Sequence, residues 1–134
     1  MTGTSDRVVV VTGGTRGIGL GLARELLARG CRVVVCGRSA DGVDSAIAEL
    51  AGAAGPGRVT GLATDVTSRV QMQALWDHAV ATYGRVDVWI NNAGLSAPRR
   101  PLPEVSEETV SAVVSANLIG VTNGCAVALT GLQA

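Results

Sequence analysis

Lysine is absent from this sequence of 134 residues, and all eleven basic residues are arginines. Any reaction mechanism that needs a lysine side chain is therefore excluded for these residues. Eleven acidic residues balance the arginines, so the formal net charge is zero and no basic stripe is present. The sequence thus favours neither nucleic acid nor an anionic membrane surface as a partner, and small polar ligands are expected instead.

Cysteine is scarce, and long hydrophobic runs are missing near the amino terminus. The three cysteines, Cys31, Cys36 and Cys125, match no metal or redox spacing, so we expect no metal site and a reducing, cytoplasmic location. The longest apolar run in the amino-terminal region is four valines, which is too short for a signal segment or a membrane span. We expect a soluble protein with one domain, residues 1–134.

Apolar runs alternate with segments of helical periodicity along the chain. Strands are predicted at Val8–Val11, Arg32–Cys36, Val59–Ala63 and Val86–Ile90, and helices at 20–29, 43–50, from Ser68 and from about Ser106. Residues 68–71 fit a capping box, the Ser106 hydroxyl is expected to cap the final helix, and His78 is expected to be solvated on the third helix. The valine-rich strands show no polar alternation, which is typical of strands buried on both faces. Strands joined through helices by short connections predict a doubly wound parallel α/β sheet that stops after about four strands.

A glycine-dense turn connects the first predicted strand to the first predicted helix. Gly13, Gly14, Gly17 and Gly19 lack a Cβ atom, so the backbone can turn tightly and present N–H groups to an anion. Their spacing differs from the common Gly-x-Gly-x-x-Gly fingerprint. Taken alone, the turn fits close packing of helix on strand about as well as it fits nucleotide binding. A dinucleotide pyrophosphate is the expected ligand.

Four motifs in this order support nucleotide binding: Thr12–Gly19, Asp65-Val66, Asn91–Gly94 and Asn117. Together they resemble the short-chain dehydrogenase/reductase family over essentially the whole chain. The resemblance implies a Rossmann-like fold and an oxidoreductase that moves a hydride between a nicotinamide and a carbonyl/alcohol pair.

The resemblance also implies a role for each matching residue. The glycine turn would hold the pyrophosphate, Asp65 would accept a hydrogen bond from the adenine amino group, and the Val66 backbone would flank the adenine ring. The segment 92–94 would line the adenosine ribose, while Thr12 and Asn91 brace the strand ends. The expected cofactor-binding residues are Gly13, Gly14, Thr15, Arg16, Gly17, Ile18 near the nicotinamide, Gly19, Arg38, Ser39, Asp65, Val66, Asn92, Ala93 and Gly94.

The residues after the second predicted strand bear on the choice of cofactor. The segment Cys36–Ser39 contains no carboxylate that could bind the ribose 2′-hydroxyl of NAD(H). Arg38 together with Arg16 can instead hold a 2′-phosphate through charge-assisted hydrogen bonds. The sequence therefore predicts NADP(H) in preference to NAD(H).

The catalytic residues that the resemblance implies are missing from these 134 residues. The family uses a tyrosine four residues before a lysine, with a serine upstream, whereas Tyr83 is the only tyrosine here and is predicted to pack in the core. Asn117 resembles the helix asparagine that positions a water in the proton relay, and it is vestigial without those partners. We expect the amino-terminal, cofactor-binding part of an enzyme that is inactive alone and binds a small carbonyl or alcohol substrate only if completed.

Two alternatives remain open at this stage. The chain is also consistent with a non-catalytic dinucleotide-binding or interaction protein, and with a half-enzyme that a separate chain completes. Stopping after the fourth strand would leave an unpaired strand edge at 86–90 and a final helix with excess apolar surface, so we expect marginal stability or self-association. The apolar residues of that helix are Val110, Val113, Val114, Leu118, Val121, Val127 and Leu129.

Overall fold

A computed structural model describes residues 5–134, and residues 1–4 of the predicted domain lie outside the described range. The strands are β1 Val8–Val11, β2 Arg32–Gly37, β3 Val59–Ala63 and β4 Val88–Ile90. The helices are α1 Gly17–Ala28, α2 Ala40–Ala54, α3 Arg69–Tyr83, a 3-10 turn Leu102–Glu104, α4 Glu107–Val114, a π-helical segment Ser115–Ile119 and α5 Gly120–Gln133. All strand pairs are parallel, in the order β3-β2-β1-β4. The predicted α/β fold class is confirmed.

Helices cover both faces of the sheet, and successive residues of each strand point to opposite faces. Val9, Val11, Val33 and Val35 pack with residues of α1 and α2 on one face. The second face is formed by Val8, Val10, Val34 and Cys36, which pack with Leu75 and Ala79 of α3. Apolar side chains at every position of these strands are therefore needed, as the valine runs predict.

Serine hydroxyls begin three of the helices, and those of Ser68 and Ser106 agree with the sequence pattern. Ser39, Ser68 and Ser106 each accept a hydrogen bond from the backbone N–H three residues later, at 3.1, 3.3 and 3.2 Å. The reciprocal half of the capping box expected at Ser68 does not form. The Gln71 side chain accepts instead from the Asp65 N–H at 2.8 Å, which ties the preceding turn to α3.

Several element boundaries differ from the predicted ones, and helix α1, for example, spans Gly17–Ala28 rather than 20–29. Helix α2 runs from Ala40 to Ala54 rather than over 43–50, because its alanine-rich tail continues the helix until Gly55 adopts a φ of 86°. Strand β4 begins at Val88 rather than Val86, since the Val8 N–H donates to the Asp87 carboxylate at 2.8 Å instead of to a backbone carbonyl.

The last three helical segments form one continuous helix, Glu107–Gln133, on the α3 side of the sheet. By length and composition it is the one helix in residues 5–134 that could cross a membrane. Its inner face is buried at Gly120, Asn123, Gly124, Val127 and Ala128, as in a helix layered on a sheet. The large apolar residues exposed on its outer face are Val110, Val114, Leu118, Ile119, Leu129 and Leu132.

The strands define two edges of the sheet. The carboxyl edge comprises the strand ends Val11, Gly37, Ala63 and Ile90 with the loops that follow them, and the amino edge comprises the residues that enter the strands. In open parallel sheets, ligands bind outside the carboxyl ends of the strands, where the strand order reverses. Here that position lies between β1 and β4.

Candidate functional site

The glycine turn leaves β1 at the carboxyl edge and enters α1 at Gly17. Gly13 and Gly17 have φ values of 66° and 56°, in the left-handed region that favours glycine. A Cβ atom on Gly14 would lie 2.7 Å from Val35 Cγ1. The turn therefore needs two of its glycines for backbone conformation and one for close contact with β2.

The amino terminus of α1 is open to an anion. Its N-cap residue Arg16 has extended backbone and provides no side-chain cap, and no acidic residue lies in the first turn. The first helical hydrogen bond joins Leu20 N–H to Arg16 C=O at 3.2 Å, so the N–H groups of Gly17–Gly19 precede the helical pattern. A Cβ on Gly17 would meet no atom within 4 Å, so the space beside this residue is open. Such a helix terminus attracts phosphate oxygens.

Thr12 and Asn92 fix the turn to the end of β4. The Thr12 hydroxyl oxygen accepts from the N–H groups of Asn92 and Ala93 at 3.0 and 3.1 Å. The Asn92 side-chain amide donates to the C=O groups of Thr12 and Gly13 at 3.1 and 3.2 Å. The Asn92 side chain thus braces the turn, which is a function that the sequence pattern assigned to Thr12 and Asn91.

Asn91 connects β4 to α5. Its Oδ1 atom accepts from Trp89 Nε1 at 2.9 Å, and its Nδ2 atom donates to Cys125 Sγ at 3.4 Å. Trp89 in turn stacks on Trp76 with ring centroids 6.1 Å apart. Thr12 thus joins the ends of β1 and β4 as expected, whereas the Asn91 side chain bonds within β4 and to α5 rather than to a neighbouring strand end.

Cys36 lies directly beneath the turn and is completely buried. Burial raises the pKa of its thiol to about 11, although hydrogen bonds with the Gly13 backbone and the Thr64 side chain oppose the shift. The Gly14 N–H also donates to the Cys36 C=O at 3.0 Å. Cys36 behaves as an uncharged packing residue, as its place in an apolar run predicts.

Arg16 and Arg38 each follow a residue of one close contact at the carboxyl edge, between Thr15 and Gly37. A Cβ on Gly37 would lie 2.7 Å from Thr15 Cγ2, so the neighbours of these two arginines are in close contact. Both arginines are exposed, and within residues 5–134 neither forms a hydrogen bond or an ion pair. The next residue, Ser39, accepts from the Gly42 N–H, which leaves its own hydroxyl proton for another acceptor.

Asp65 heads a tight turn between β3 and α3. Its Oδ1 atom accepts from Thr67 N–H at 3.0 Å and from Thr67 Oγ1 at 2.7 Å. Thr67 is the main cause that lowers the pKa of the Asp65 carboxyl, and the Arg38 charge lowers it further. The carboxylate is therefore ionised at neutral pH, and its Oδ2 atom accepts no hydrogen bond from the described residues.

A narrow recess at the carboxyl edge brings several of the predicted residues together. Val66 and Ala93 line it, beside Thr12, Asn91, Gly120 and Val121. Ala93 touches the glycine turn, because a Cβ on Gly13 would lie 2.7 Å from Ala93 Cα. The loop after β3, the loop after β4 and the start of α5 therefore meet the turn at one place.

Asn117 lies in the π-helical segment and holds the loop that follows β4. Its Oδ1 atom accepts from Leu95 N–H at 2.7 Å, and its Nδ2 atom donates to Leu95 C=O at 2.8 Å. A Cβ on the adjacent Gly94 would lie 3.2 Å from Asn117 Oδ1. Single π-helical turns often occur at functional sites.

Ile18 is exposed, whereas Tyr83, predicted to pack in the core, is partly buried at the edge of it. Ile18 is 79% exposed in the first turn of α1, beside the open N–H groups. Tyr83 packs against the second face of the sheet, with the Arg32 guanidinium 5.8 Å from its ring centroid. Burial raises the pKa of the Tyr83 hydroxyl. Tyr83 is the last residue of α3 and lies towards the amino edge of the sheet, remote in the fold from the glycine turn.

The sequence pattern missed two residues beside the site and one hydrogen bond elsewhere. Asn123 of α5 and Arg69 of α3 contact the turn after β3, as described below. His78, expected to be solvated, hydrogen-bonds through Nε2 with Thr60 Oγ1 at 2.9 Å. A signal for Asn123 was available: it lies three residues after Gly120 and four before Val127, on a face that is otherwise small or apolar. Within residues 5–134, no group of three or more metal-ligating side chains is assembled.

The fold is a parallel sheet with helices on both faces, and a glycine turn leads into a helix at the carboxyl edge of the sheet. These two features define a nucleotide-binding α/β protein of the Rossmann type. Residues 7–134 match the family described as short chain dehydrogenase. The chain belongs to the short-chain dehydrogenase/reductase family, a family of oxidoreductases with an NAD(P)-binding Rossmann fold.

Relatives with known names cover nearly all of this chain. It is 40% identical over 126 residues to chlorophyll(ide) b reductase NOL, chloroplastic, of Oryza sativa subsp. japonica, a match covering 93% of this chain and 37% of that protein. It is 35% identical to L-fucose dehydrogenase of Oryctolagus cuniculus, covering 96% of this chain and 43% of that one. Among solved structures, a short chain dehydrogenase/reductase from Burkholderia phymatum in complex with NAD superimposes with a TM-score of 0.89 at 31% identity, covering 98% of this chain and 46% of that chain.

The chain therefore spans less than half the length of these relatives. The shared part is the part that carries the glycine turn and the carboxyl-edge loops described above.

Proposed function

We propose that these residues form the NADP(H)-binding part of a short-chain dehydrogenase/reductase. The observation that carries this proposal is the uncapped start of α1, with Gly17 facing open space and two further glycines holding the turn. The N–H groups of Gly17, Ile18 and Gly19 would bind the pyrophosphate oxygens. The solved relative in complex with NAD supports a dinucleotide as the ligand class.

Preference for the 2′-phosphorylated cofactor rests on Arg38 and Arg16. Both guanidinium groups are exposed and unpaired among the described residues, beside a strand end that offers no carboxylate to a ribose 2′-hydroxyl. Arginine forms bidentate, charge-assisted hydrogen bonds with phosphate. The Ser39 hydroxyl supplies a further donor beside Arg38.

The adenosine would lie along the loops after β3 and β4. The Oδ2 atom of Asp65 is an ionised acceptor suited to the adenine amino group. The Val66 backbone would flank the ring, with Ala93 in the same recess. Asn92 would contribute through its backbone and through the turn that it braces, with Gly94 completing the ribose wall.

In the whole protein, the bound nicotinamide would supply hydride transfer to or from a small carbonyl or alcohol substrate. We propose that the 134 residues alone bind the cofactor without turning it over. The sequence contains no lysine, and its only tyrosine, Tyr83, packs against the sheet with Arg32. Asn117 would retain only its hold on the Leu95 backbone, without the tyrosine and lysine of a proton relay.

The cofactor preference is tested by titrating NADPH and NADH into the wild-type chain and into Arg38→Ala by calorimetry. Wild type should bind NADPH roughly tenfold to a hundredfold more tightly than NADH, because each charge-assisted bond contributes about 1.5–3 kcal/mol. Arg38→Ala should lose most of that preference and keep its affinity for NADH. Arg29→Ala serves as the control, since Arg29 forms an ion pair with Glu25 on α1. Equal affinities of wild type for both cofactors would contradict the assignment.

A further inference from the structure

Asn123 is a buried polar side chain on the inner face of α5, only 5% exposed. Its Nδ2 atom donates to the Val66 C=O at 3.0 Å, and its Oδ1 atom accepts from Arg69 Nε at 3.0 Å. Both hydrogen-bonding groups of the amide are therefore used, one on the turn after β3 and one on the first residue of α3.

The turn that Asn123 contacts, residues 65–67, is restrained from within by its own residues. Asp65 N–H donates to the Gln71 side chain, Ser68 N–H donates to the Asp65 C=O at 3.0 Å, and Thr67 donates twice to Asp65 Oδ1. These bonds set the shape of the turn but do not fix it relative to the rest of the carboxyl edge.

Asn123 provides the side-chain hydrogen bond from α5 to this turn, where packing is also close. A Cβ on Gly120, one helical turn before Asn123, would lie 2.6 Å from Val66 Cγ2. The two contacts hold Val66 from its carbonyl and from its side chain. Since Val66 lines the recess at the carboxyl edge, its position depends on α5.

We propose that Asn123, oriented by Arg69, is a positioning residue that sets the adenine-contacting turn 65–67 at the distance from the glycine turn that an adenosine phosphate requires. The inference rests on the proposed function, because the adenine contacts of Asp65 and Val66 belong to it. Asn123 itself does not touch the cofactor. The amide satisfies both neighbours, because its Nδ2 atom donates to the Val66 carbonyl while its Oδ1 atom accepts from the Arg69 guanidinium.

Variants at Asn123 separate the two bonds. Asn123→Leu fills the buried space but leaves the Val66 carbonyl without its donor. Asn123→Asp keeps an acceptor for Arg69 and places a carboxylate oxygen against the Val66 C=O. Arg69→Met changes an exposed residue, so it preserves folding while removing the group that orients the amide.

The test compares two probes, adenosine 2′,5′-bisphosphate and inorganic pyrophosphate, by calorimetry on the wild-type chain and the variants. Asn123→Leu and Asn123→Asp should bind adenosine 2′,5′-bisphosphate about tenfold more weakly, and Arg69→Met about threefold more weakly. Pyrophosphate, which needs only the glycine turn, should bind all of them within about twofold of wild type. Thr130→Val, whose hydroxyl bonds within α5 to the Ala126 C=O, is the matched control and should change neither affinity.

Hydrogen exchange of the Thr67 and Ser68 amides gives a second readout that needs no ligand. Exchange there should accelerate at least fivefold in Asn123→Leu and in Arg69→Met, while the amides of β1 keep their protection. Unchanged exchange and an unchanged ratio of the two affinities in these variants would overturn the role of Asn123. Failure of the wild-type chain to bind adenosine 2′,5′-bisphosphate would instead overturn the proposed function.

Discussion

Most arginines at the amino edge of the sheet have partners within the chain, whereas Arg16 and Arg38 at the carboxyl edge have none among the described residues. At the amino edge, Arg32 pairs with Asp6 at 2.6 Å, Arg85 pairs with Asp87 at 2.9 Å, and Arg58 donates to the Gly30 C=O at 2.7 Å. At the carboxyl edge, Arg16 and Arg38 have no such partners among residues 5–134. Charges that are satisfied within the chain serve the fold, whereas unpaired charges beside an open helix terminus are available to a ligand.

The same contrast holds for the backbone. The Val8 N–H at the start of β1 is satisfied by the Asp87 carboxylate, while the first N–H groups of α1, after the turn that follows β1, receive no side-chain cap. The amino edge is therefore expected to govern stability and the carboxyl edge to govern binding.

Substitution of Gly19 gives the largest expected effect, because this residue both contributes an N–H group to the proposed phosphate site and packs tightly against the turn. A Cβ there would overlap the Gly13 C=O and the Asn92 amide, so Gly19→Ala must displace the turn or its brace. We expect the free energy of unfolding to fall by roughly 1–3 kcal/mol and NADPH affinity to fall more than tenfold. Urea denaturation and calorimetry measure the two effects.

Gly21 provides the matched control on the same helix. It lies in the interior of α1, and a Cβ there would meet no atom within 4 Å. Gly21→Ala should therefore stabilise the protein by about 0.5–1 kcal/mol and leave NADPH binding unchanged. If both Gly19→Ala and Gly21→Ala lost NADPH binding, the effect would come from any change in α1 and not from the shape of the turn.

Asp87 gives an intermediate effect, confined to stability. Burial raises the pKa of its carboxyl, but the Val8 N–H and Arg85 outweigh it, so the folded-state pKa lies below the ordinary 3.8. Asp87→Asn should lower the free energy of unfolding by about 1 kcal/mol at pH 7 and leave NADPH affinity unchanged. Because the folded pKa is depressed, this advantage of wild type is present above pH 3.8 and disappears as the pH falls through the folded pKa.

Asp77 is the control for this prediction. It is exposed on α3 and accepts from Gln73 at 3.0 Å, so Asp77→Asn should change stability by less than about 0.5 kcal/mol at any pH. If Asp87→Asn weakened NADPH binding as much as it weakened the fold, the two edges would not be independent.

The smallest effect concerns the thiols. Cys36 is buried under the glycine turn with a pKa of about 11, whereas Cys125 is exposed on α5. Iodoacetamide at pH 8 should modify Cys125 rapidly and Cys36 only through transient opening, and saturating NADPH should slow Cys36 further. Mass spectrometry of tryptic peptides separates Cys31, Cys36 and Cys125, because Arg32 lies between the first two. Equal labelling of Cys36 and Cys125 would mean that the reagent reaches the Cys36 thiol beneath the glycine turn as easily as an exposed thiol.

Much of this architecture could be predicted from sequence because the signals are local. The valine runs define strands buried on both faces, and Ser39, Ser68 and Ser106 mark helix starts. The glycine turn and the resemblance indicated the order of the site loops.

What could not be predicted depends on contacts distant in sequence. The Asn92 amide reaches Gly13 across 79 residues, and Asn123 reaches Val66 across 57, and no local pattern encodes either partner. Gln71 was expected to complete a capping box, but the Asp65 N–H competes for its side chain. The start of β4 was set by the Asp87 carboxylate, which replaced a backbone acceptor.

The stacked pair Trp76 and Trp89 gives this protein a built-in optical reporter. The sequence has two tryptophans, and both lie in this one pair. Trp89 bonds to Asn91, the residue before the brace Asn92, so its indole is coupled to the position of the glycine turn. The intrinsic fluorescence of the chain therefore comes from a single cluster next to the carboxyl edge, and ligand binding and unfolding can be followed in the same sample without a label.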